Sequence, residues 1–173
     1  MDNPEELLCQ VDASDQIVGP CRRGDAHRLG LRHRSVHILV FNAFGDIFLQ
    51  KRSLTKDVNP GLWDSSAAGH VDFGESYDAC AARELHEELN IEAGHVPELL
   101  FKLEASEETG WEFIQVYRLQ WDEPIDPNPE EISAGAWFSG AEMEGWFSAR
   151  PEQLTRSLRC IWSRFLATRH QAA

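Results

Sequence analysis

Gly69-His70-Val71-Asp72-Phe73-Gly74-Glu75-Ser76-Tyr77-Asp78-Ala79-Cys80-Ala81-Ala82-Arg83-Glu84-Leu85-His86-Glu87-Glu88-Leu89-Asn90-Ile91 is the stretch on which the fold turns. Residues 69–75 read as a glycine-flanked loop. Ser76 can accept from a free backbone N–H of a first helical turn, and Asp78 complements the positive end of the helix. The pattern predicts a helix from residue 77 to residue 90, because Asn90 tolerates the left-handed conformation that ends helices. At 100° per residue, with Glu84 at zero, Glu87 lies near about 300° and Glu88 near about 40°, while Leu85, Ala82 and Leu89 fall at roughly 100–160°. Three carboxylates therefore share one stripe. They repel one another unless something neutralises them, and a hard cation such as Mg²⁺ or Mn²⁺ takes carboxylate oxygens readily. A solvated acidic face is the plain alternative for the helix alone.

On the N-terminal side, residues 62–68 predict a short strand after the Asn59-Pro60-Gly61 turn. Residues 36–41 and 47–52 are β-rich runs joined by a hairpin at Gly45-Asp46. Residues 7–11 and 16–18 predict two further short strands. Between them and the hairpin, residues 22–34 carry Arg22, Arg23, Arg28, Arg32 and Arg34, read as a solvated loop or short helix. On the C-terminal side, residues 99–103 and 111–120 alternate like strands, the loop at 122–129 holds three prolines, and residues 134–138 predict a last strand. Leu154, Leu158, Ile161, Trp162, Phe165 and Leu166 recur on one face of a closing helix. The fold class is α+β, read as one domain over 1–173 with an N-terminal hairpin at 5–20, a core at 34–140 and a C-terminal helix at 151–169.

A chain of 173 residues with 42% hydrophobic residues can bury an ordinary core, which excludes wholesale disorder. Its net charge of −13 repels phosphate backbones and anionic lipid, so neither a nucleic-acid polymer nor a membrane is an expected partner. Cys9, Cys21, Cys80 and Cys160 are too scattered for paired metal ligation and read as reduced thiols. No stretch reaches the roughly 18–20 apolar residues of a membrane span, and the expected location is the cytoplasm.

Gly69, Glu75 and Arg83-Glu84-Leu85-x-Glu87-Glu88-x-Asn90-Ile91 resemble the Nudix box, GxxxxxE, seven residues, then REUxEExGU with U aliphatic. Every fixed position matches except the last glycine, which is Asn90. The resemblance implies a Nudix fold, a mixed β-sheet sandwiched between helices, with a Mg²⁺ or Mn²⁺ site. It makes Glu84, Glu87 and Glu88 the metal-ligating and base carboxylates, Gly69 a carbonyl ligand, Glu75 an outer orienting glutamate and Arg83 the arginine that holds a box glutamate. Many members add an acid before the last strand, which makes Glu131 the candidate further ligand or base. Lys51, Arg52 and Lys56 are candidates for binding substrate phosphate.

His27 to Arg34, Leu49 to Ser53, Lys56, Pro60 to Trp63 and Gly69-His70-Val71 resemble the branch related to isopentenyl-diphosphate isomerase. In that isomerase three histidines and glutamates hold a metal. His27, His33 and His70 fall at the matching positions, with Glu131 at that of one glutamate, a set suited to Mn²⁺, Zn²⁺ or Fe²⁺. The isomerase protonates carbon with a cysteine before its Gly-His pair, where this chain has Ala68. The expected function is therefore metal-dependent hydrolysis of a nucleoside diphosphate or related organic diphosphate. The alternatives are an isomerase-like enzyme and a non-catalytic ligand-sensing module. The expected partner is the small-molecule diphosphate, and a homodimer stays open. Trp63, Trp111 and Phe73 are candidates for stacking on a base or covering a prenyl tail, with packing the plainer role for Trp63.

Overall fold

The computed structural model describes residues 3–92 and 97–171. Strands β1 (Leu7–Val11) and β2 (Ile17–Arg22) form a hairpin, followed by helix α1 (Arg23–Leu29). Then come β3 (His33–Phe41), β4 (Ile47–Arg52), β5 (Trp63–Asp64), β6 (Ala67–His70) and helix α2 (Tyr77–Leu89). The chain ends with β7 (Glu98–Leu103), β8 (Glu112–Gln120), β9 (Ile132–Phe138) and helices α3 (Gly140–Ala149) and α4 (Arg156–Gln171). One 3₁₀ turn, Pro151–Gln153, precedes α4.

The sheet is mixed. β8 runs parallel to β3 over its whole length, from His33 beside Glu112 to Phe41 beside Gln120. The other edge of β3 meets three partners in turn: β1 at His33, β6 over Ser35–Ile38 and β4 only at Phe41. Beyond their hairpin, β3 and β4 therefore diverge. The chain at 63–70 fills the wedge, pairing first with β4 as β5 and then with β3 as β6. Ser65 and Ser66 lie at the crossing, fully buried. A chain leaving one ladder for another strands backbone groups, and the serine hydroxyls satisfy them. Ser66 Oγ donates to the Phe48 carbonyl (2.5 Å) and accepts from Val40 N–H (2.8 Å).

The alternation of β3 sorts the two layers. Val36, Ile38 and Val40 pack with Cys80, Ala81, Leu85 and Leu89 of α2. Leu39 and Phe41 face the other way, onto Met143 of α3 and Leu158, Ile161, Trp162 and Phe165 of α4. Helices thus cover both sides of the sheet. Truncating Leu85, 1% exposed, to alanine would cost about 2–5 kcal/mol.

Helix α2 begins and ends as its sequence predicts. Ser76 Oγ accepts from Ala79 N–H, and Asn90 takes φ 53°, with its N–H returned to the His86 carbonyl. The proline-bearing loop folds back on that end: Asn128 donates from N to the Glu88 carbonyl and from Nδ2 to the Glu87 carbonyl.

Several expectations need correction. The strand at 62–68 is two strands separated by the serine crossing; of the loop or short helix expected within residues 22–34, the structure has the short helix, Arg23–Leu29. The closing helix at 151–169 starts at Arg156, after the 3₁₀ turn, and α3 was not expected. Alpha3 hides its apolar content in a Trp-Phe-rich segment, and its signal is the Ser139/Glu142 capping box, in which each side chain bonds the other's backbone N–H.

Candidate active site

The wedge between β3 and β4 opens into a cavity of about 820 Å³, within the range of small-molecule sites. Glu84, Glu87 and Glu88 line it together with Gly69, His70, Arg52, Lys56 and Glu131. Glu88 spans the wedge. One of its oxygens, Oε2, accepts from Ala68 N–H on β6 (2.9 Å) and from Gln50 Nε2 on β4 (2.8 Å). Glu84 lies against Gly69, and a Cβ there would meet Glu84 Oε1 at 1.8 Å. Only glycine leaves that carboxylate its place.

Arg83 holds the acids together. It donates to both oxygens of Glu75 (3.0 Å each), to Glu84 Oε1 (2.6 Å), to Glu87 Oε2 (3.1 Å) and to the His70 carbonyl (3.0 Å). Glu75 stays ionised, since Arg83 and the Asp72 N–H outweigh the cost of its burial and hold its pKa down. Glu84 is pushed well above the usual carboxylate range by burial and by the charge of Glu88, against the pull of Arg83. Burial pushes Glu88 up to about 7 despite its two N–H donors and Lys56. Two buried carboxylates resisting ionisation side by side lack a positive charge that a divalent cation would supply. Glu84, Glu88 and the more exposed Glu87, with Gly69 beside them, are therefore a donor set that fits Mg²⁺ or Mn²⁺.

At one side of the cavity, His27 of α1, His33 at the start of β3, His70 at the end of β6 and Glu112 at the start of β8 bring their ligating atoms within 4.8 Å of one another. The ring centroids lie 5.1–5.6 Å apart. His33 Nδ1 sits 2.8 Å from the Leu31 carbonyl, which fixes the ring proton there and leaves the buried Nε2 without a hydrogen-bond partner. Burial, with His70 and Arg23 nearby, presses His27 down to about 4. Burial opposes ionisation of Glu112 too, but His33 and His70 outweigh it and keep the carboxylate charged. Burial also presses His70 toward the neutral form, while at His33 burial is outweighed by the Glu112 carboxylate, which draws the pKa up. Imidazoles around an ionised carboxylate, with His33 Nε2 lacking a hydrogen bond, fit a borderline metal ion.

The carboxylate in this cluster is Glu112, not Glu131 as the sequence suggested. Glu131 is ion-paired to Lys56 at the other side of the cavity. Lys51 does not line the cavity, because strand alternation turns it away from the side that Gln50 and Arg52 serve. Arg52 does reach it, with Nη1 3.6 Å from Asp64 and Nε bonded to the Val58 carbonyl. The arginine strip is spent on partners: Arg22 on Glu5, Arg23 on Asp57, Arg28 on Asp25 and Arg34 on Asp15, while Arg32 lies over Trp111. Trp63 packs against Phe138 and Trp146, and Phe73 is half exposed outside the cavity wall. Trp111 lines the cavity at φ 67°, a conformation that bulky residues rarely hold.

A NUDIX domain model matches residues 31–158. An uncharacterised Nudix hydrolase of Streptomyces coelicolor is 38% identical over 148 residues, 84% of this chain and 81% of the relative. An isopentenyl-diphosphate Delta-isomerase of Nocardia farcinica is 33% identical over 159 residues, 88% of each chain. The crystal structure of DR0079 from Deinococcus radiodurans superposes with a TM-score of 0.75 at 31% identity, covering 84% of this chain and 90% of that one. Together with the carboxylates gathered on α2 around Gly69, these matches make the chain a member of the NUDIX family, on the branch that joins Nudix pyrophosphohydrolases to isopentenyl-diphosphate isomerases.

Proposed function

We propose that this enzyme hydrolyses a small diphosphate joined to an organic moiety, a nucleoside diphosphate or a related organic pyrophosphate, with Mg²⁺ or Mn²⁺ as cofactor. The observation that carries the reading is the pairing of buried, ionisation-resistant Glu84 and Glu88 with an adjoining basic wall in one cavity. Glu84, Glu87 and Glu88, with the Gly69 carbonyl, would hold the cation. When bound it polarises a phosphoryl oxygen and acidifies a water. The protein supplies the rest. Gln50 and the Ala68 amide fix the Glu88 carboxylate on one oxygen, leaving the other toward the cavity as ligand or proton acceptor. Arg83 is a positioning residue that keeps Glu84 and Glu87 converged. Arg52 and Lys56 offset charge on the substrate's phosphates, and Glu131, held by Lys56, is the candidate further base.

The cluster of His27, His33, His70 and Glu112 would hold a second ion, Mn²⁺, Zn²⁺ or Fe²⁺, in the same cavity. That cluster and the isomerase-named relatives favour a second reading, double-bond isomerisation of a prenyl diphosphate. It lacks its acid: Ala68 stands before Gly69-His70, and among the described residues no cysteine lines the cavity. A screen of soluble diphosphates with Mg²⁺ and Mn²⁺ decides between them. Release of phosphate or a monophosphate supports hydrolysis. Deuterium uptake from heavy water into an allylic position, without phosphate release, overturns it in favour of the isomerase.

A further inference from the structure

We infer that His37 is a substrate-contacting residue, donating from Nε2 to a phosphoryl oxygen where the acidic and basic parts of the cavity meet; this rests on the diphosphate reading above. His37 is only 4% exposed, yet it lines the cavity, on the same face of β3 as His33 and Ser35. Its back edge is fixed. Nδ1 lies 2.6 Å from Ser65 Oγ and 3.8 Å from Asp64 Oδ1. Asp64 is itself immobilised, accepting from Ser65 N–H (2.8 Å) and Thr155 Oγ1 (2.9 Å), with Arg52 Nη1 3.6 Å from its other oxygen. The serine crossing that the diverging strands demand thus doubles as a clamp on an imidazole.

The front edge is free. No hydrogen bond joins Nε2 to any described residue, and two positions back on the same face the buried Ser35 Oγ also lacks a partner. A histidine that serves packing alone tends to use both nitrogens, and leaving a buried polar group unpaired costs about 1–3 kcal/mol. A buried unpaired hydroxyl beside an imidazole nitrogen that opens to the cavity is explained when a ligand completes both. Ser65 Oγ has one proton to give, to Nδ1 at 2.6 Å or to the Ala67 carbonyl at 3.3 Å; given to the nearer acceptor, it leaves the ring proton on Nε2. Nε2–H is then a donor into the cavity.

The position selects the anion. Across the β3–β6 ladder His37 faces Ala68, whose amide anchors Glu88. Through Asp64 it adjoins Arg52. A diphosphate reaching from the box carboxylates to Arg52 and Lys56 passes over this ring. A fixed donor there adds direction to what Arg52 and Lys56 supply as charge.

The test uses methylenediphosphonate, whose P–C–P bridge cannot be hydrolysed, titrated into the Mn²⁺-loaded protein by calorimetry. His37→Ala is expected to weaken its binding at least tenfold while Mn²⁺ affinity stays within twofold of wild type. His37→Gln, which keeps a donor at similar reach, is expected to recover most of the loss, and Ser65→Ala, which frees the ring, to fall between. With a cleavable diphosphate the loss appears in KM more than in kcat. Unchanged analogue affinity in His37→Ala, or no recovery in His37→Gln when both variants melt as wild type does, overturns the inference alone. Wild-type protein that neither binds the analogue nor releases phosphate from any diphosphate overturns the hydrolase reading, and this inference with it.

Discussion

Replacing Glu88 with glutamine should stabilise the metal-free protein at alkaline pH and at the same time weaken its response to the cation. Burial raises the Glu88 carboxyl from an ordinary 4.5 to about 7 in the folded chain. The unfolded chain releases this proton near 4.5, so the native state holds it more tightly. Stability from this group is fully present below about 4.5 and drains away as pH climbs through about 7. The gap corresponds to about 3 kcal/mol in the metal-free protein. Glutamine has no proton to lose there, and its carbonyl oxygen can still accept from both Ala68 N–H and Gln50 Nε2, which share one oxygen of the glutamate. Urea unfolding in EDTA, followed by tryptophan fluorescence from pH 4.5 to 8.5, should show the two proteins alike at the acid end and Glu88→Gln more stable by about 2–3 kcal/mol at the alkaline end. Adding Mn²⁺ at pH 8 should raise wild type in proportion to the logarithm of metal concentration and raise the variant less, by only what the histidine cluster contributes. Parallel pH curves, or equal stabilisation by Mn²⁺, would refute the assignment of Glu88 as a buried charge awaiting a cation.

Glu87→Gln is expected to lower turnover at least about 10²-fold with an unchanged melting temperature, read from phosphate release; wild-type rates would remove Glu87 from the site. Gly69→Ala forces a Cβ into Glu84, so activity should collapse and Mn²⁺ affinity fall in calorimetry, whereas a fully active variant would show that Glu84 does not need that place. Elemental analysis after purification from metal-supplemented medium should find an ion that survives Glu88→Gln but is lost in Glu112→Ala and His33→Ala; equal retention in all three would discard the histidine cluster as a second site.

The chemistry of α2 was legible because it is local. A helix wheel, a cap and a loop of fixed length bring Glu84, Glu87 and Glu88 to one stripe without knowledge of any other element, and Ser76 and Asn90 cap the helix as their side chains predict. What lies across the sheet was not legible. Glu112 joins the histidines because β8 pairs in parallel with β3, placing it beside His33 over a separation that no short spacing encodes. Glu131 had the right type and neighbourhood, but its loop delivers it to Lys56 instead. His37 read as one more residue of an apolar strand. Only the divergence of β3 from β4, and the serine crossing that fills the gap, turns that position from core to cavity wall.

The central claim is that the clustered acids of α2 gather a divalent cation for attack on a diphosphate. Crystals grown with Mn²⁺ and methylenediphosphonate at neutral pH, measured at the manganese absorption edge, test it directly. The account predicts an anomalous peak bounded by the Glu84 and Glu88 carboxylates and the Gly69 carbonyl, with the analogue reaching toward Arg52 and Lys56. Manganese absent from those carboxylates, with the analogue seated elsewhere, would contradict it.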